Sequence, residues 1–410
     1  MAESVSHPGT KAAGRPVDLA RKWQGRAGLI FLDTDENLQK GLSILAVEPQ
    51  DVLRGNIFEN ASELRQILAQ HRTEFLTALN VPSGGLFGWI DFDGNYVFGV
   101  YPTCHVYDHA AQTWLEGGDE AEATFENRPA NVPFSVEFTP QIDRETFCDR
   151  VRKAQAYIAA GDIYQVNLSY PWLAHWPAER KTWTFYEQLR QVSPAPYSAF
   201  LSLDGLEIAS ASPECFLKIS GNHIVTRPIK GTRPRGETLL ADEILAEELK
   251  NSSKERAELV MITDLERNDL GQVCEFGSVH VSDLLRLEHY AQVQHLVSTV
   301  EGSLRAGIDH VAALQACFPG GSITGAPKKR ATEIIHELEL HPRELYTGAI
   351  GYLGFNGESQ FSIAIRTAWK DGETMRFDTG AGIVADSVPE QEWEETRHKA
   401  AGLLAAAREM

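Results

Sequence analysis

From about residue 143 onward, the chain alternates clusters of short strand-like segments with long helix-like segments. Four β-branched and aromatic segments joined by short turns lie between 198 and 226, and others are predicted at 292–303, 346–355, 360–369 and 375–379. Helical spacing covers 144–160, where Gly161 predicts the end, and also 182–191, 237–265 and 390 onward. Strands joined by short turns pair antiparallel, so the sequence predicts an α+β fold of antiparallel sheets with helices packed outside.

The front portion of the chain has a different character. Residues 1–20 are polar and rich in small residues, which predicts a mobile lead-in. Helical spacing follows at 63–79, the aromatic runs 84–90 and 96–101 flank Asp-Gly-Asn and predict a hairpin, and 108–137 predicts a loop. We therefore predict a variable N-terminal portion at 21–140 and a second, intimately joined unit at 141–410 that carries the chemistry.

The charge balance limits the classes of partner. The 410-residue chain has 38 Lys+Arg against 57 Asp+Glu, a formal net charge of −19. A net negative surface argues against nucleic-acid binding, which needs cations to displace phosphate counterions. It does not exclude an anionic small substrate, because a local cationic pocket can sit inside an acidic protein. No run of about 18 apolar residues occurs, so no membrane span is expected.

The cysteines indicate the compartment. Five are scattered along the chain without a C-x-x-C pair: Cys104, Cys148, Cys215, Cys274 and Cys317. This sparse, odd count is typical of a reduced intracellular protein, in contrast to a disulfide or zinc scaffold. The N-terminus lacks the apolar core of a signal peptide, so we expect a cytoplasmic protein.

Two acidic positions are candidates for holding a metal ion. Glu258 shares a predicted helix face with apolar residues three, four and seven positions later, and a carboxylate there is costly unless a cation meets it. On the terminal helix, Glu392 and Glu395 are one turn apart and can converge on a hard divalent ion such as Mg²⁺. Each pattern also fits a plainer structure, a rim residue at Glu258 and a solvated face with a Glu395–Lys399 pair.

Two glycine-rich segments could hold an anion through backbone N–H groups. Thr379-Gly-Ala-Gly-Ile-Val-Ala lies between a predicted strand and the final helix, but the acidic residue expected of a dinucleotide fingerprint does not follow on a second parallel strand. Phe318-Pro-Gly-Gly-Ser-Ile-Thr-Gly-Ala-Pro-Lys-Lys-Arg places a glycine loop and three cations at a predicted helix start, which equally fits an ordinary capped loop. It is not a P-loop, because Gly325 is followed by Ala-Pro.

A candidate acid and a candidate amine nucleophile lie close together in sequence. Glu214 stands in Ser212-Pro-Glu-Cys-Phe, and Lys230 stands in Thr226-Arg-Pro-Ile-Lys-Gly-Thr-Arg-Pro-Arg-Gly. Taken alone, a lysine in a Pro/Gly-rich segment is more often a solvated surface residue.

In their order and spacing these motifs resemble the chorismate-utilising enzyme family. The resemblance covers about residues 143–406 and includes Gly161-Asp-Ile-Tyr-Gln-Val-Asn-Leu-Ser, Ser212-Pro-Glu, Pro228-Ile-Lys-Gly-Thr, Arg267-Asn-Asp-Leu-Gly, Pro319-Gly-Gly-Ser-Ile-Thr-Gly-Ala-Pro-Lys, Ile365-Arg-Thr and Gly380-Ala-Gly-Ile-Val-Ala-Asp-Ser. That family includes component I of anthranilate synthase and of aminodeoxychorismate synthase, and the isochorismate and salicylate synthases. The resemblance implies the family's fold, with a sandwich core of large antiparallel sheets.

The resemblance also implies roles for individual residues. It implies Mg²⁺ held by Glu258 and Glu395, with Glu392 close by, Glu214 as general acid and His295 as an active-site histidine. The substrate contacts that it implies are Gly231, Thr232, Tyr346, Arg366, Lys399 and the backbone of Gly380, Ala381 and Gly382.

Position 230 distinguishes two branches of the family. Enzymes that form anthranilate resemble this segment but carry Ala there, whereas those that aminate chorismate at C4 carry Lys. The resemblance therefore implies conversion of chorismate and ammonia to 4-amino-4-deoxychorismate, on the route to 4-aminobenzoate and folate, through a covalent Lys230 intermediate. No Gly-x-Cys-x-Gly elbow surrounds any cysteine, so we expect the ammonia to come from a separate glutamine amidotransferase subunit. Anthranilate formation, and a non-catalytic role in binding chorismate or scaffolding an amidotransferase, remain as alternatives.

Overall fold

The computed structural model describes residues 14–38, 40–73, 80–117, 136–290 and 292–408. Within these ranges the helices are α1 Pro16–Lys22, α2 Ala61–Gln70, α3 Arg144–Ala160, α4 Thr182–Val192, α5 Leu239–Asn251, α6 Ser253–Gly271, α7 His310–Cys317, α8 Lys328–Glu339 and α9 Pro389–Arg408. The strands of the first half are β1 Leu29–Asp33, β2 Leu42–Ala46, β3 Asp51–Asn56, β4 Gly85–Ile90, β5 Asn95–Tyr101, β6 His105–Asp108, β7 Thr113–Glu116, β8 Thr139–Pro140, β9 Gln165–His175 and β10 Tyr197–Leu203. The remaining strands are β11 Leu206–Ser212, β12 Cys215–Ser220, β13 His223–Arg227, β14 Ile229–Pro234, β15 His280–His289, β16 Val293–Ser303, β17 Gly325–Ala326, β18 Ala349–Gly354, β19 Glu358–Ile363, β20 Thr367–Asp371 and β21 Thr374–Ile383.

Among the described residues these strands form two large antiparallel sheets. The first has the order β17-β9-β21-β20-β11-β10-β1-β2-β6-β7, and the second has the order β14-β16-β13-β12-β19-β18-β4-β5-β3. Ile30 and Leu201 of the first sheet share one buried cluster with Phe87 and Tyr352 of the second, so the sheets enclose an apolar core. Helices α3, α4, α8 and α9 pack against the first sheet. The predicted α+β class and sandwich core are confirmed.

Strands from both sides of residue 140 take part in both sheets. Strands β1 and β2 pair within the first sheet, where β1 also pairs with β10, and β4 pairs with β18 in the second. The portions 21–140 and 141–410 are therefore joined by continuous hydrogen-bonded sheets. Within the described residues, no helix is long and apolar enough to cross a membrane.

Several elements match the sequence prediction closely. Helix α3 begins after Asp143, whose side chain accepts a hydrogen bond from Thr146 N, and ends at Gly161 in the left-handed region with φ 84°. Strands β4 and β5 form the predicted hairpin, and the terminal helix α9 begins at Pro389. Helix α2 covers the first part of 63–79, and 74–79 lie outside the described residues.

The prediction of one helix over 237–265 is wrong, because α5 and α6 are separate. Ser252 between them is extended, with φ −64° and ψ 109°, and its hydroxyl accepts from Glu255 N at 3.4 Å. A serine at this position competes for backbone hydrogen bonds and begins a new helix. The break re-aims α6, which carries Glu258.

The prediction of one strand over 360–369 is also wrong, since the chain changes sheets there. Strand β19 belongs to the second sheet and β20 to the first, so Ala364–Arg366 cross between the sheets. Arg366 has φ +49°, in the left-handed region that a non-glycine residue rarely adopts. The crossing directs Arg366 into the space at the edge of the sandwich.

Three further expectations need correction. Residues 16–20 of the expected lead-in belong to α1, where Val17, Leu19 and Ala20 are buried, and residues 1–13 lie outside the described residues. Part of the expected loop 108–137 forms β7, and 118–135 lie outside the described residues. The strand predicted over 375–379 is too short, because Gly380–Gly382 continue β21 and pair with Asn167–Ser169 of β9.

Candidate active site

One cavity of about 970 Å³ opens at the edge of the sandwich, between β14, β21, α6 and α9. The predicted site residues that line it are Glu214, Lys230, Gly231, Thr232, Glu258, His295, Tyr346, Arg366, Gly380, Gly382, Glu395 and Lys399. They are spread over positions 214 to 399 of the chain and come from both sheets. Glu392 and Ala381 do not line it: Glu392 is buried at its back, and Ala381 points to the other face of β21.

Lys230 lies on an edge strand and not in a surface turn. Strand β14 pairs with β16, and the register shifts between Lys230 and Thr232 around Gly231, which has φ +72°. Such a bulge turns successive side chains away from strict alternation. The Lys230 ammonium donates to the Ser322 carbonyl at 3.4 Å, across the cavity from β14.

Glu214 occupies another crossing between the sheets. Strand β11 of the first sheet ends at Ser212 and β12 of the second begins at Cys215, so Pro213 and Glu214 span the gap. Ile363 N donates to the Glu214 carbonyl at 3.1 Å, which ties this crossing to the one that carries Arg366. Burial raises the pKa of Glu214, and the nearby Lys230 charge opposes that rise only in part. The environment therefore favours a protonated Glu214.

Arg366 is a half-buried cation that lines the cavity without a counter-ion. Burial lowers the pKa of its guanidinium, and among the described residues it makes no side-chain hydrogen bond or ion pair. A partly desolvated charge without a partner is costly to the fold, and one that lines a cavity is open to a ligand of opposite charge. Its planar donor fork suits a carboxylate.

His295 is a neutral imidazole fixed in one orientation. Burial, followed by the charge of Arg366, lowers its pKa to about 4. Its Nδ1 lies 3.3 Å from the Gly231 carbonyl and 3.0 Å from the Thr232 hydroxyl. Because a carbonyl only accepts, we assign the proton to Nδ1, which leaves Nε2 as the acceptor.

The two predicted metal-ligand carboxylates approach each other from α6 and α9. Burial raises the pKa of Glu258, with Lys230 and Lys254 opposing the rise, and its Oε1 is buried without a hydrogen-bond partner. Glu395 pairs with Lys399 at 2.8 Å, and Lys399 also donates to the Gly380 carbonyl at 3.0 Å.

The glycines of β21 make one wall of the cavity from bare backbone. A Cβ at Gly380 would lie 2.9 Å from the Tyr346 hydroxyl, and one at Gly382 would lie 3.7 Å from Lys230 Nζ. A side chain at Gly380 would crowd the Tyr346 hydroxyl, and one at Gly382 would crowd the Gln165 amide at 2.6 Å while only touching Lys230. The wall therefore lets a ligand approach the strand closely.

Sequence reasoning missed several charged residues of this region. Lys254 lines the cavity from the first turn of α6, and Asp378, whose pKa burial raises to about 6, lines it beside Arg376. Behind Glu214 lies Glu266, which accepts from the Thr226 hydroxyl at 2.7 Å and is 6% exposed. The sequence signal that could have revealed Glu266 is its three-residue spacing from Asp269, which places both carboxylates on the apolar face of α6.

Glu266→Gln is expected to stabilise the protein at alkaline pH. Burial raises the pKa of Glu266 well above 4.5, so its contribution is fully present below the unfolded-state pKa and is lost as pH rises. A neutral glutamine keeps an acceptor for Thr226 without that loss. Urea denaturation should give a gain of at least ~1 kcal/mol at pH 8 and a much smaller one at pH 4.5. An equal effect at both pH values would contradict a titrating Glu266.

The chorismate binding enzyme family matches residues 87–405, and the chain belongs to that family. Anthranilate synthase component 1 1 of Haloarcula marismortui is 48% identical over 272 residues, which are 66% of this chain and 55% of that protein. Aminodeoxychorismate synthase component 1 of Bacillus subtilis is 41% identical over 324 residues, 74% of this chain and 68% of that protein. The crystal structure of anthranilate synthase component I from Streptococcus pneumoniae superposes with a TM-score of 0.77 at 28% identity, covering 88% of this chain and 92% of that one.

These comparisons confirm the family resemblance and the fold. The chain spans little more than half the length of the two Haloarcula marismortui relatives, 55% and 54%. Relatives named for two different products thus match at comparable identity.

Proposed function

We propose that this protein aminates chorismate at C4 to form 4-amino-4-deoxychorismate, as component I of an aminodeoxychorismate synthase. The observation that carries the proposal is Lys230, an amine inside the cavity where the anthranilate-forming branch carries Ala. Its neighbours support a role in chemistry, since the Lys230 charge acts on Glu214, Glu258 and Glu395. A primary amine held among acids is suited to nucleophilic attack on a polarised ring.

The proposed reaction consists of two balanced substitutions. Lys230, after its ammonium has given up a proton to solvent, attacks C2 of chorismate, the ring double bond shifts, and the C4 hydroxyl leaves as water after taking a proton from Glu214. Ammonia then attacks C4, the double bond shifts back, the C2–N bond breaks to release the neutral Lys230 amine, and the C4 ammonium returns one proton to Glu214. Two moderate barriers replace one high barrier, which is the general advantage of covalent catalysis.

Glu214 suits the role of the acid. Its raised pKa keeps the proton that the leaving hydroxyl needs, and its position at the sheet crossing directs it into the cavity opposite Lys230.

The substrate's negative charges would meet the basic and backbone groups of the site. Arg366 offers an unpaired donor fork, the β21 glycines permit close approach, and the Tyr346 hydroxyl lies beside Gly380. His295 would accept a hydrogen bond at Nε2, because Nδ1 faces the Gly231 carbonyl.

Glu258 and Glu395 fit a bound Mg²⁺. The unpartnered, buried Oε1 of Glu258 is an available hard ligand, and Mg²⁺ commonly takes one or two carboxylates together with substrate oxygens and water. Among the described residues, no group of three or more His, Cys, Asp or Glu is placed to hold a metal ion. When bound, Mg²⁺ would neutralise a substrate carboxylate.

The ammonia is proposed to come from a separate glutamine amidotransferase subunit. The five cysteines are all buried within the described residues, and burial raises the pKa of Cys104, Cys215 and Cys317. Buried, protonated thiols are unsuited to releasing ammonia from glutamine.

Product analysis tests the proposal. Chorismate, Mg²⁺ and ammonium are incubated with the protein, and the products are separated by chromatography and mass spectrometry. We expect 4-amino-4-deoxychorismate without pyruvate. Anthranilate with one equivalent of pyruvate would replace the proposal with anthranilate synthase, which the Haloarcula marismortui and Streptococcus pneumoniae relatives favour by name. Binding of chorismate without turnover would leave the non-catalytic alternative.

The pH dependence of turnover is expected to report Glu214. As pH rises through its raised pKa, the proton donor is lost and kcat/KM falls. Glu214→Gln should lower turnover by about 10²- to 10⁴-fold and remove that alkaline decline. The free NH₃ concentration is held constant at each pH, so that ammonium titration does not contribute. An unchanged profile in the variant would assign the acid elsewhere.

A further inference from the structure

Lys254 lies at the cavity but forms its ion pair with a carboxylate other than Glu258 and Glu395. Lys254 lies one turn before Glu258 on α6 and lines the cavity. Its ammonium pairs with Glu392 of α9 at 3.2 Å, where the Lys254 side chain is 49% exposed and that of Glu392 is 2% exposed. The Ser387 hydroxyl donates to the same Glu392 oxygen at 2.7 Å, and Val384 N donates to Ser387 Oγ at 3.1 Å. Glu392 thus joins α6, α9 and the chain leaving β21.

Other carboxylates are within reach of the same lysine. Burial acts to lower the pKa of Lys254, but Glu392, Glu258 and Glu395 together raise it. Lys254 and Glu258 stand four residues apart on α6, the spacing at which a helix forms ion pairs. Yet Oε1 of Glu258 has no partner, and Lys254 bonds to Glu392 instead.

We propose that Glu392 is a positioning residue that holds the Lys254 ammonium away from Glu258 and Glu395, keeping both carboxylates free for a divalent cation. The inference rests on the proposed function, because it takes Glu258 and Glu395 as the metal ligands. A lysine ammonium and Mg²⁺ compete for the same oxygens, so a lysine released from Glu392 would turn to Glu258 and oppose metal binding. Glu392 is outside the cavity lining; its Oε1 accepts from both Lys254 and Ser387, and its Oε2 is buried without a hydrogen-bond partner.

This role differs from that of a third metal ligand, and a double-variant cycle separates the two. Mg²⁺ is titrated by isothermal calorimetry into the wild type, Glu392→Gln, Lys254→Met and the double variant. We expect Glu392→Gln to raise the Mg²⁺ Kd about tenfold, the lower end of the effect of outer-shell partners. Lys254→Met should lower Kd by roughly threefold, because a competing cation is gone. The double variant should return to within about threefold of the wild type, since no lysine is left to restrain.

Three outcomes would overturn the proposal. If the double variant binds Mg²⁺ as weakly as Glu392→Gln does, then Glu392 is itself a metal ligand. If the Mg²⁺ Kd of Glu392→Gln equals that of the wild type, then Glu392 has no role in metal binding. A higher Mg²⁺ Kd in Lys254→Met alone would mean that the lysine supports metal binding. The Lys254 side chain is half-exposed, so this variant tests the proposal even if substitution of the buried Glu392 unfolds the protein.

A matched control breaks a different ion pair at the start of α9, the helix that carries Glu392 and Glu395. Arg152 contacts Glu390 at 3.5 Å with its side chain 54% exposed, and Arg152→Met should leave the Mg²⁺ Kd unchanged. Product identity is measured separately on the wild type. Anthranilate as the product would overturn the proposed function but not the order of the four Mg²⁺ affinities.

Discussion

Lys230→Ala is expected to reduce formation of 4-amino-4-deoxychorismate by roughly 10³-fold or more, because loss of a covalent nucleophile removes the pathway itself and can cost up to ~10⁶-fold. Binding of chorismate in the presence of Mg²⁺ should be largely retained, since the proposed contacts at Arg366, Glu258 and Glu395 are intact. Initial rates by chromatography give the first quantity, and calorimetric titration of chorismate gives the second.

The control for Lys230→Ala is Lys329→Ala, which removes an exposed lysine of α8 outside the cavity lining. It should leave both rate and affinity unchanged. Intact-mass spectrometry of the wild type, quenched during turnover without ammonia, should detect a chorismate-derived adduct that Lys230→Ala lacks. Full activity in Lys230→Ala would remove the covalent role and with it the main reason to prefer C4 amination.

Short motifs predicted which side chains meet in the cavity, but local pattern could not predict how the chain brings them there. The segment 360–369 has strand composition throughout, without a glycine or proline at the change of sheets. Only pairing of β19 with β12, and of β20 with β11, determines that the chain must cross at Ala364–Arg366. Long-range pairing of this kind overrides local propensity.

Local sequence pattern also failed to predict the strand pairing of Lys230 and of the β21 glycines. Pro228 and Gly231 gave the Lys230 segment the composition of a turn, yet β16 pairs with it and makes it an edge strand. Gly380 and Gly382 lie beyond residue 379, where their strand was predicted to end, yet β9 pairs with them. By contrast, α3 has its cap signals at Asp143 and Gly161, within the helix's own sequence, and was predicted at its observed bounds.

Two arginines beside the cavity, the buried Arg343 and the half-buried Arg366, are expected to respond to substitution in opposite ways. Arg343 and Glu339 form an ion pair at 2.7 Å with each side chain 1% exposed, and Arg343 also donates to the carbonyls of Asn167 and Ile323. Arg366 has no such partner among the described residues. A paired buried charge stabilises the fold when its partner would otherwise be orphaned, whereas an unpaired one is a cost to the fold that a ligand can offset.

Arg343→Met should therefore lower the free energy of unfolding by about 3–5 kcal/mol, because it leaves the Glu339 carboxylate buried and unpaired. Arg366→Met should raise that free energy, because it removes a partly desolvated charge that has no partner, while weakening chorismate binding by about 2–5 kcal/mol, on the order of 30-fold or more. Urea denaturation measures the first quantity and calorimetry the second. Arg366→Met could instead lose as much stability as Arg343→Met and keep its affinity for chorismate. In that case Arg366 would be a structural cation, and the substrate carboxylate would lack its proposed partner. Stability and affinity that move in opposite directions at one position identify a residue kept for its ligand.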